Sequence, residues 1–137
     1  MLDMLRLAAN VAKPTIENDS RNFWVGCIGI RSDGVLVSAK NGSVMCSISS
    51  EYQVIGESHA ESRTLRKAGK NCILYVSRIT KDGKLAMARP CQVCQPRIRA
   101  YNVQKVYYSI NETQYGIFYP QKDLDKVIGT KLCMKKH

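Results

Sequence analysis

The sequence predicts one α/β domain, built in three layers, α-β-α, around a mixed five-stranded sheet, with a two-layer packing as the alternative. Three observations carry this. Helix-like and strand-like patterns interleave along the chain, as in layered α/β folds. A length of 137 residues with 45% apolar side chains suits a single core, since domains usually run to about 100–200 residues. The last two strand patterns are separated only by Asn111 to Gln114. A parallel crossover needs roughly a dozen residues or more, so those two strands are expected to pair antiparallel.

The elements follow in order. Leu2, Leu5, Ala9 and Ala12 recur at helical spacing, giving an amphipathic helix that ends before Pro14. Thr15 to Asn22 is polar and reads as a loop. Phe23 to Ile30 is nearly continuously apolar, as in a strand covered on both faces. Asp33-Gly34 is a turn signal, and Val35 to Ala39 returns as a second strand. Asn41 to Gly56 lacks a period and is Ser-rich, a long loop of the kind that borders a site. Ser58 with Glu61 three residues on makes a capping-box pattern, opening a helix that runs to Ala68 and stops at Gly69. Cys72 to Ile79 reads as the third strand and Lys81 to Lys84 as a turn. Pro90 is expected to open a short helix to Ala100, distorted by Pro96. Lys105 to Ile110 and Tyr115 to Tyr119 complete the five strands, and the basic C-terminal stretch has no readable pattern. No repeat, low-complexity block or linker divides the chain, so residues 1–137 read as one domain.

Composition narrows the function classes. No apolar run approaches the roughly 20 residues of a membrane helix. Met1-Leu2-Asp3-Met4 lacks the basic region and apolar core of a secretion signal, so the expectation is a soluble cytoplasmic chain without membrane partners. There are 21 Lys plus Arg against 11 Asp plus Glu, a net charge of +10. That balance favours anionic partners such as nucleotides or nucleic acid, or simply a soluble basic surface. Six cysteines in a reducing compartment are not expected to form a disulfide framework, and a closely spaced pair points to metal. Of the two histidines, His59 and His137, only the first lies inside the predicted fold.

Two short segments concentrate the chemistry. His59-Ala60-Glu61 stands at one predicted helix start, and Pro90-Cys91-Gln92-Val93-Cys94 at another. Cys91 and Cys94 are three apart, so on a helical turn both sulfurs can face one point. Thiolate is the ligand form, and a positive helix end favours it. With His59 as a third ligand, Zn²⁺ would keep one tetrahedral position open for water, as a catalytic site requires. Two thiolates weaken the metal's Lewis acidity, and Glu61 is placed to supply the missing base. Two bland readings compete. A closed structural zinc site would take Cys46, Cys72 or His137 as its fourth ligand, and Glu61 could serve only the capping box. A closed site has no need of Glu61.

H-x-E followed by P-C-x-x-C is the zinc deaminase signature. With these residues in place, the chain resembles the cytidine deaminase-like superfamily, which includes cytidine, deoxycytidylate, cytosine and guanine deaminases and the nucleic-acid editing deaminases. The likeness spans about Met4 to Tyr119. Leu74-Tyr75-Val76 through Lys105-Val106-Tyr107-Tyr108-Ser109 is especially similar to small deaminases of viruses and microbes. The resemblance implies the cytidine deaminase-like fold, with zinc on His59, Cys91 and Cys94 and a proton shuttle in Glu61. Glu61 would take a proton from the attacking water, pass it to the ring nitrogen and assist the departure of ammonia. It also implies substrate contacts from Asn41 and Ala60; on turn chemistry alone, Asn41-Gly42 is equally well a plain turn.

The pattern departs from each branch in some respect. Free-cytidine deaminases that form tetramers usually have Cys where this chain has His59. The branches with His usually insert a helix before a parallel last strand, for which there is no room here. Deoxycytidylate deaminases often carry a second zinc site, for which no His exists, and editing deaminases approach Pro-Cys through Ser or Thr rather than Arg89.

Other residues have simpler readings. Arg97, Arg99 and Lys105 could meet phosphate but read first as a solvated basic face. Tyr101, Tyr107 and Tyr108 interleave with them and could stack on a base, although strand alternation makes one of Tyr107 and Tyr108 core. Trp24 reads as packing. Cys27, Cys46, Cys72 and Cys133 read as small buried residues. Lys131, Lys135 and Lys136 form a basic tail. The leading expectation is a zinc hydrolase acting on a cytosine-type base in a free nucleoside or nucleotide. An editor of single-stranded DNA or RNA and a catalytically silent zinc module are the rivals. A homo-oligomer is expected, because small domains gain core from partners.

Overall fold

In the computed structural model, which describes residues 2–12, 24–40, 60–80, 82–92, 94–122 and 124–129, the apolar run Trp24–Ile30 forms strand β1. It is preceded by helix α1 (Leu2–Ala12) and followed by β2 (Leu36–Lys40), α2 (Ala60–Ala68), β3 (Ile73–Ile79), β4 (Leu85–Ala86), α3 (Gln95–Ala100), β5 (Lys105–Ser109), β6 (Gln114–Tyr119) and β7 (Leu124–Gly129). The expected loop from Asn41, the Ser58 cap and the basic tail lie outside the described residues.

The sheet is mixed, in the order β2-β1-β3-β5-β6-β7, with the short β4 paired to β3. Among the described residues β3 and β5 run parallel, and the other pairs are antiparallel. The β5–β6 pair is antiparallel as its short connection requires, with Val106 opposite Phe118 and Tyr108 opposite Gly116. Among the described residues the sheet has seven strands rather than the expected five. β4 spans too few residues to show a period, and β7 was masked in sequence by its Lys and Asp content.

Three layers result. On one face of the sheet, Leu5 and Ala8 of α1 pack with Ile28 and Tyr75, and Ala9 and Ala12 pack with Trp24 and Ile79. On the other face, α2 and α3 share a core with the inner strands through Leu65, Ala68, Ile98, Leu74, Val76 and Val106. Burying each large apolar side chain of this kind contributes roughly 1.5–3 kcal/mol. β1 is therefore apolar on both sides, Ile28 meeting α1 and Cys27 meeting α2.

α1 approaches the sheet very closely. A Cβ at Gly26 would stand 2.1 Å from the Ala8 carbonyl oxygen, so only glycine fits. The Ser77 hydroxyl donates to the Leu5 carbonyl at 2.6 Å from the next strand. α2 ends where expected: Gly69 takes φ +75 and its N–H reaches the Leu65 carbonyl at 2.9 Å.

The helix expected from Pro90 starts later. The N–H groups of Cys94 and Gln95 both donate to the Cys91 carbonyl at 3.1 Å, making a turn. Regular helix begins at Gln95, with Pro96 in its first turn. A proline there loses no intrahelical hydrogen bond, so Pro96 fits the helix start instead of distorting its interior.

Candidate active site

The site is assembled where α2 begins and where the turn before α3 closes. Glu61 sits on the first turn of α2, and its side chain is buried. Cys94 is the residue leading into α3 and is fully buried, whereas Cys91, at the start of the turn, is exposed. The cysteines thus occupy a turn ahead of a short helix rather than its first full turn. What aligns them is the turn's own hydrogen bonding. The Gln95 side-chain amide adds to it by donating to the Pro90 carbonyl at 2.9 Å.

The side chains interact. Burial raises the Glu61 carboxyl above the usual carboxylate range, while its own backbone N–H and the Cys94 thiol hydrogen-bond it and pull the other way. Burial also pushes the Cys94 thiol well up, reinforced by the neighbouring Glu61 carboxyl and Cys91 thiol and eased by the Ser62 hydroxyl. Ser62 follows Glu61 on α2 and is buried.

Two predicted residues, His59 and Asn41, lie outside the described residues. Ala60 begins α2 with its methyl group fully buried, in the same apolar cluster as Cys94. Among the described residues, no group of three His, Cys, Asp or Glu side chains converges as a metal site. The donor chemistry nevertheless fits zinc. Two thiols and a buried carboxyl share one locale, and the Glu61 carboxyl and the Cys91 thiol both raise the cost of ionising Cys94. A dication is the group that would reverse this and draw the thiols to thiolate.

The residues around the site correct one grouping and bear out others. Arg99 and Lys105 do not form one basic face. Arg99, on α3, donates to the Pro120 carbonyl at 3.2 Å, whereas Lys105 lies over the Tyr107 ring on the α1 side of the sheet. α3 packs on one face of the sheet, and the alternation of β5 turns Lys105 to the other. Tyr108 is core, as one of the tyrosine pair had to be. Tyr107 stacks on Tyr75, the ring centroids 4.9 Å apart. Trp24, Cys27 and Cys72 are buried packing residues, and Cys46 and Cys133 lie outside the described residues. Among the described residues, no helix is long and apolar enough to cross a membrane.

A network not anticipated from sequence lies beside the cysteine turn. Arg89 reaches Asp125 on β7, which also binds Tyr108. The sequence hint was Arg89 standing before Pro90, a departure from the Ser or Thr approach noted for editing deaminases.

The family model described as the cytidine and deoxycytidylate deaminase zinc-binding region matches residues 2–110. The chain belongs to this family. Cytidine deaminase from Mycobacterium tuberculosis has a similar fold, with a TM-score of 0.51 at 18% identity over 80% of this chain and 89% of that one. A point mutant of the same enzyme aligns with a TM-score of 0.51 at 19% identity, over 81% of this chain and 90% of that one. No curated protein matches the chain. The layered α/β architecture expected from sequence is therefore that of the cytidine deaminases. The family match holds both segments of the motif, while β6 and β7 lie beyond it.

Proposed function

We propose that this protein is a zinc-dependent hydrolase that deaminates a cytosine-type base, in a free nucleoside or nucleotide, to the uracil form. The observation that carries the reading is the meeting of buried Glu61 with Cys94 and Cys91 at the junction of α2 and the α3 turn. A purely structural metal site has no use for an acid in that position.

Cys91, Cys94 and His59 would hold the metal. When bound, zinc supplies the Lewis acidity that makes water nucleophilic near neutral pH. Glu61 accepts a proton from the attacking water and delivers it to the ring nitrogen beside the carbon under attack. It then assists transfer to the departing amino group, so that water and the aminated base become the carbonyl base and ammonia. Asn41 and the main chain of Ala60 contact the substrate, the Ala60 methyl group being committed to the core.

The charge of +10 suits a phosphorylated substrate. It also suits a polynucleotide, the second reading. The separation of Arg99 from Lys105 on opposite faces of the sheet favours the small substrate.

The test is a substrate panel. Zinc-loaded protein is incubated with cytosine, cytidine, deoxycytidine, their monophosphates, adenine and guanine compounds, and single-stranded oligonucleotides, and ammonia is measured. Release from cytosine nucleosides or nucleotides is expected. Activity on oligonucleotides alone would sink the small-substrate reading, and activity on none would leave a zinc-binding module.

A further inference from the structure

We propose that Asp125, on β7, braces the Cys91–Cys94 turn through Arg89 and Tyr108, making it a positioning residue of the metal site. This rests on the functional reading above and adds to it. The brace comes from the β6–β7 hairpin, which lies beyond the family match.

Both Asp125 carboxylate oxygens are used. Oδ2 accepts from Arg89 Nε at 2.5 Å, and Oδ1 accepts from the Tyr108 hydroxyl at 2.7 Å. Arg89 immediately precedes Pro90, so its side chain controls how the chain enters the cysteine turn. The Arg89 guanidinium also lies over the Phe118 ring, 5.1 Å from its centroid. Phe118 is the cross-strand partner of Asp125 and is only 1% exposed. Arg99, beyond the turn on α3, lies over the same ring at 5.7 Å. The cysteine turn is therefore tied to β6–β7 on both sides, by Arg89 before Cys91 and by Arg99 after Cys94.

The hairpin is shaped to receive these contacts. Tyr108 on β5 has to cross β6 to reach β7, and its cross-strand neighbour on β6 is Gly116. A Cβ at Gly116 would stand 2.1 Å from the Tyr108 ring. The missing side chain opens the path by which the ring crosses to Asp125. As an ion pair alone, a partly exposed Arg–Asp contact contributes little to stability. Its effect here is directional: it selects one rotamer of Arg89 and one entry angle into the turn. Groups that orient metal ligands in this way commonly change metal affinity by about 10–100-fold when removed.

The experiment reads zinc directly. Wild-type protein and variants are loaded with zinc, quantified for metal content, then mixed with excess chromogenic chelator, and the rate of zinc transfer is followed. Asp125→Asn should release zinc about tenfold faster than wild type. Asp125→Glu should recover part of the difference. Tyr108→Phe should release zinc faster by a smaller factor. Arg6→Ala, which breaks a surface ion pair on the α1 side, should release zinc as slowly as wild type, and the melting temperatures of zinc-free wild type, Asp125→Asn and Tyr108→Phe should differ little.

Asp125→Asn releasing zinc as slowly as wild type would overturn the brace. If Asp125→Asn does not fold, Tyr108→Phe and Arg89→Lys decide: unchanged release in both overturns the proposal, and faster release in either supports it. Wild-type protein that takes up no zinc sinks the functional reading and the brace with it. Wild type that holds zinc while every variant releases it equally slowly sinks the brace alone.

Discussion

The Cys94 thiol lies against the buried Glu61 carboxyl, and each shifts the other's ionisation. Two residues 33 positions apart in the chain, 61 and 94, thus meet at the point where α2 and the α3 turn converge. That contact ties the residue proposed to handle the proton to the turn proposed to hold zinc, and the two proposed roles separate in testable ways.

Glu61→Gln keeps the shape of the side chain and removes its basicity. Turnover should fall by at least about a hundredfold, the ordinary scale of a general acid–base contribution, while zinc content stays stoichiometric. Cys94→Ala should lose zinc as well as activity. Metal analysis beside an ammonia assay separates the two outcomes, and a fully active Glu61→Gln would remove Glu61 from the mechanism.

Close packing of α1 makes a stability prediction. Gly26→Ala forces a methyl group to within 2.1 Å of the Ala8 carbonyl oxygen. The helix must shift, at a cost of about 1–3 kcal/mol in urea unfolding. Gly129→Ala is the control: its Cβ would meet Gln114 at 3.6 Å, an ordinary contact, and should change stability by no more than about 0.5 kcal/mol.

A pH-dependent tie joins α1 to the far end of the sheet. Glu112 accepts the Leu85 backbone N–H at 2.6 Å and the Arg6 guanidinium at 2.7 Å. The Leu85 N–H, and then Arg6, hold its carboxyl below the ordinary value of 4.5. A lowered carboxylate pKa stabilises the fold above the unfolded-state value. That stabilisation is lost as pH falls through the lower folded-state value. Glu112→Gln should therefore lower the melting temperature at about pH 7, and by less at a pH well below the ordinary value of 4.5, where that stabilisation is being lost. Equal effects at both pH values would contradict the assignment.

Salt dependence discriminates between the substrate readings. A strand-binding surface making 6–10 phosphate contacts loses roughly 10³–10⁵ in affinity between about 50 and 200 mM salt. With Arg99 and Lys105 on opposite faces of the sheet, single-stranded oligonucleotides should bind weakly and lose less than about tenfold over that range. A steep slope in a fluorescence anisotropy titration would instead favour the polynucleotide reading.

Much of the fold was legible because its signals are local. The Leu2 to Ala12 period, the apolar run at Trp24 and the Gly69 stop each depend on neighbours a few residues away. The start of α3 was misread because Pro90 looks like a helix opener. The bonds from the N–H groups of Cys94 and Gln95 to the Cys91 carbonyl show a turn there instead. β7 escaped notice because it lies at the edge of the sheet, where Leu124, Asp125, Lys126 and Val127 are exposed to differing degrees and no face is wholly apolar.

By itself the sequence determined the layered α/β class, the family signature and the identity of the candidate chemical groups. Those depend on periodicity, spacing and residue type, all written within short windows. Only the tertiary structure decided which of those groups meet. Glu61 reaches Cys94 because two helix starts converge under one core. Tyr108 reaches Asp125 because Gly116 lies between them on β6. Arg99 and Lys105 part because strand and helix present them to opposite faces. Each of these relations depends on strand order and register, which are set by the summed packing of distant segments and by no single stretch of chain.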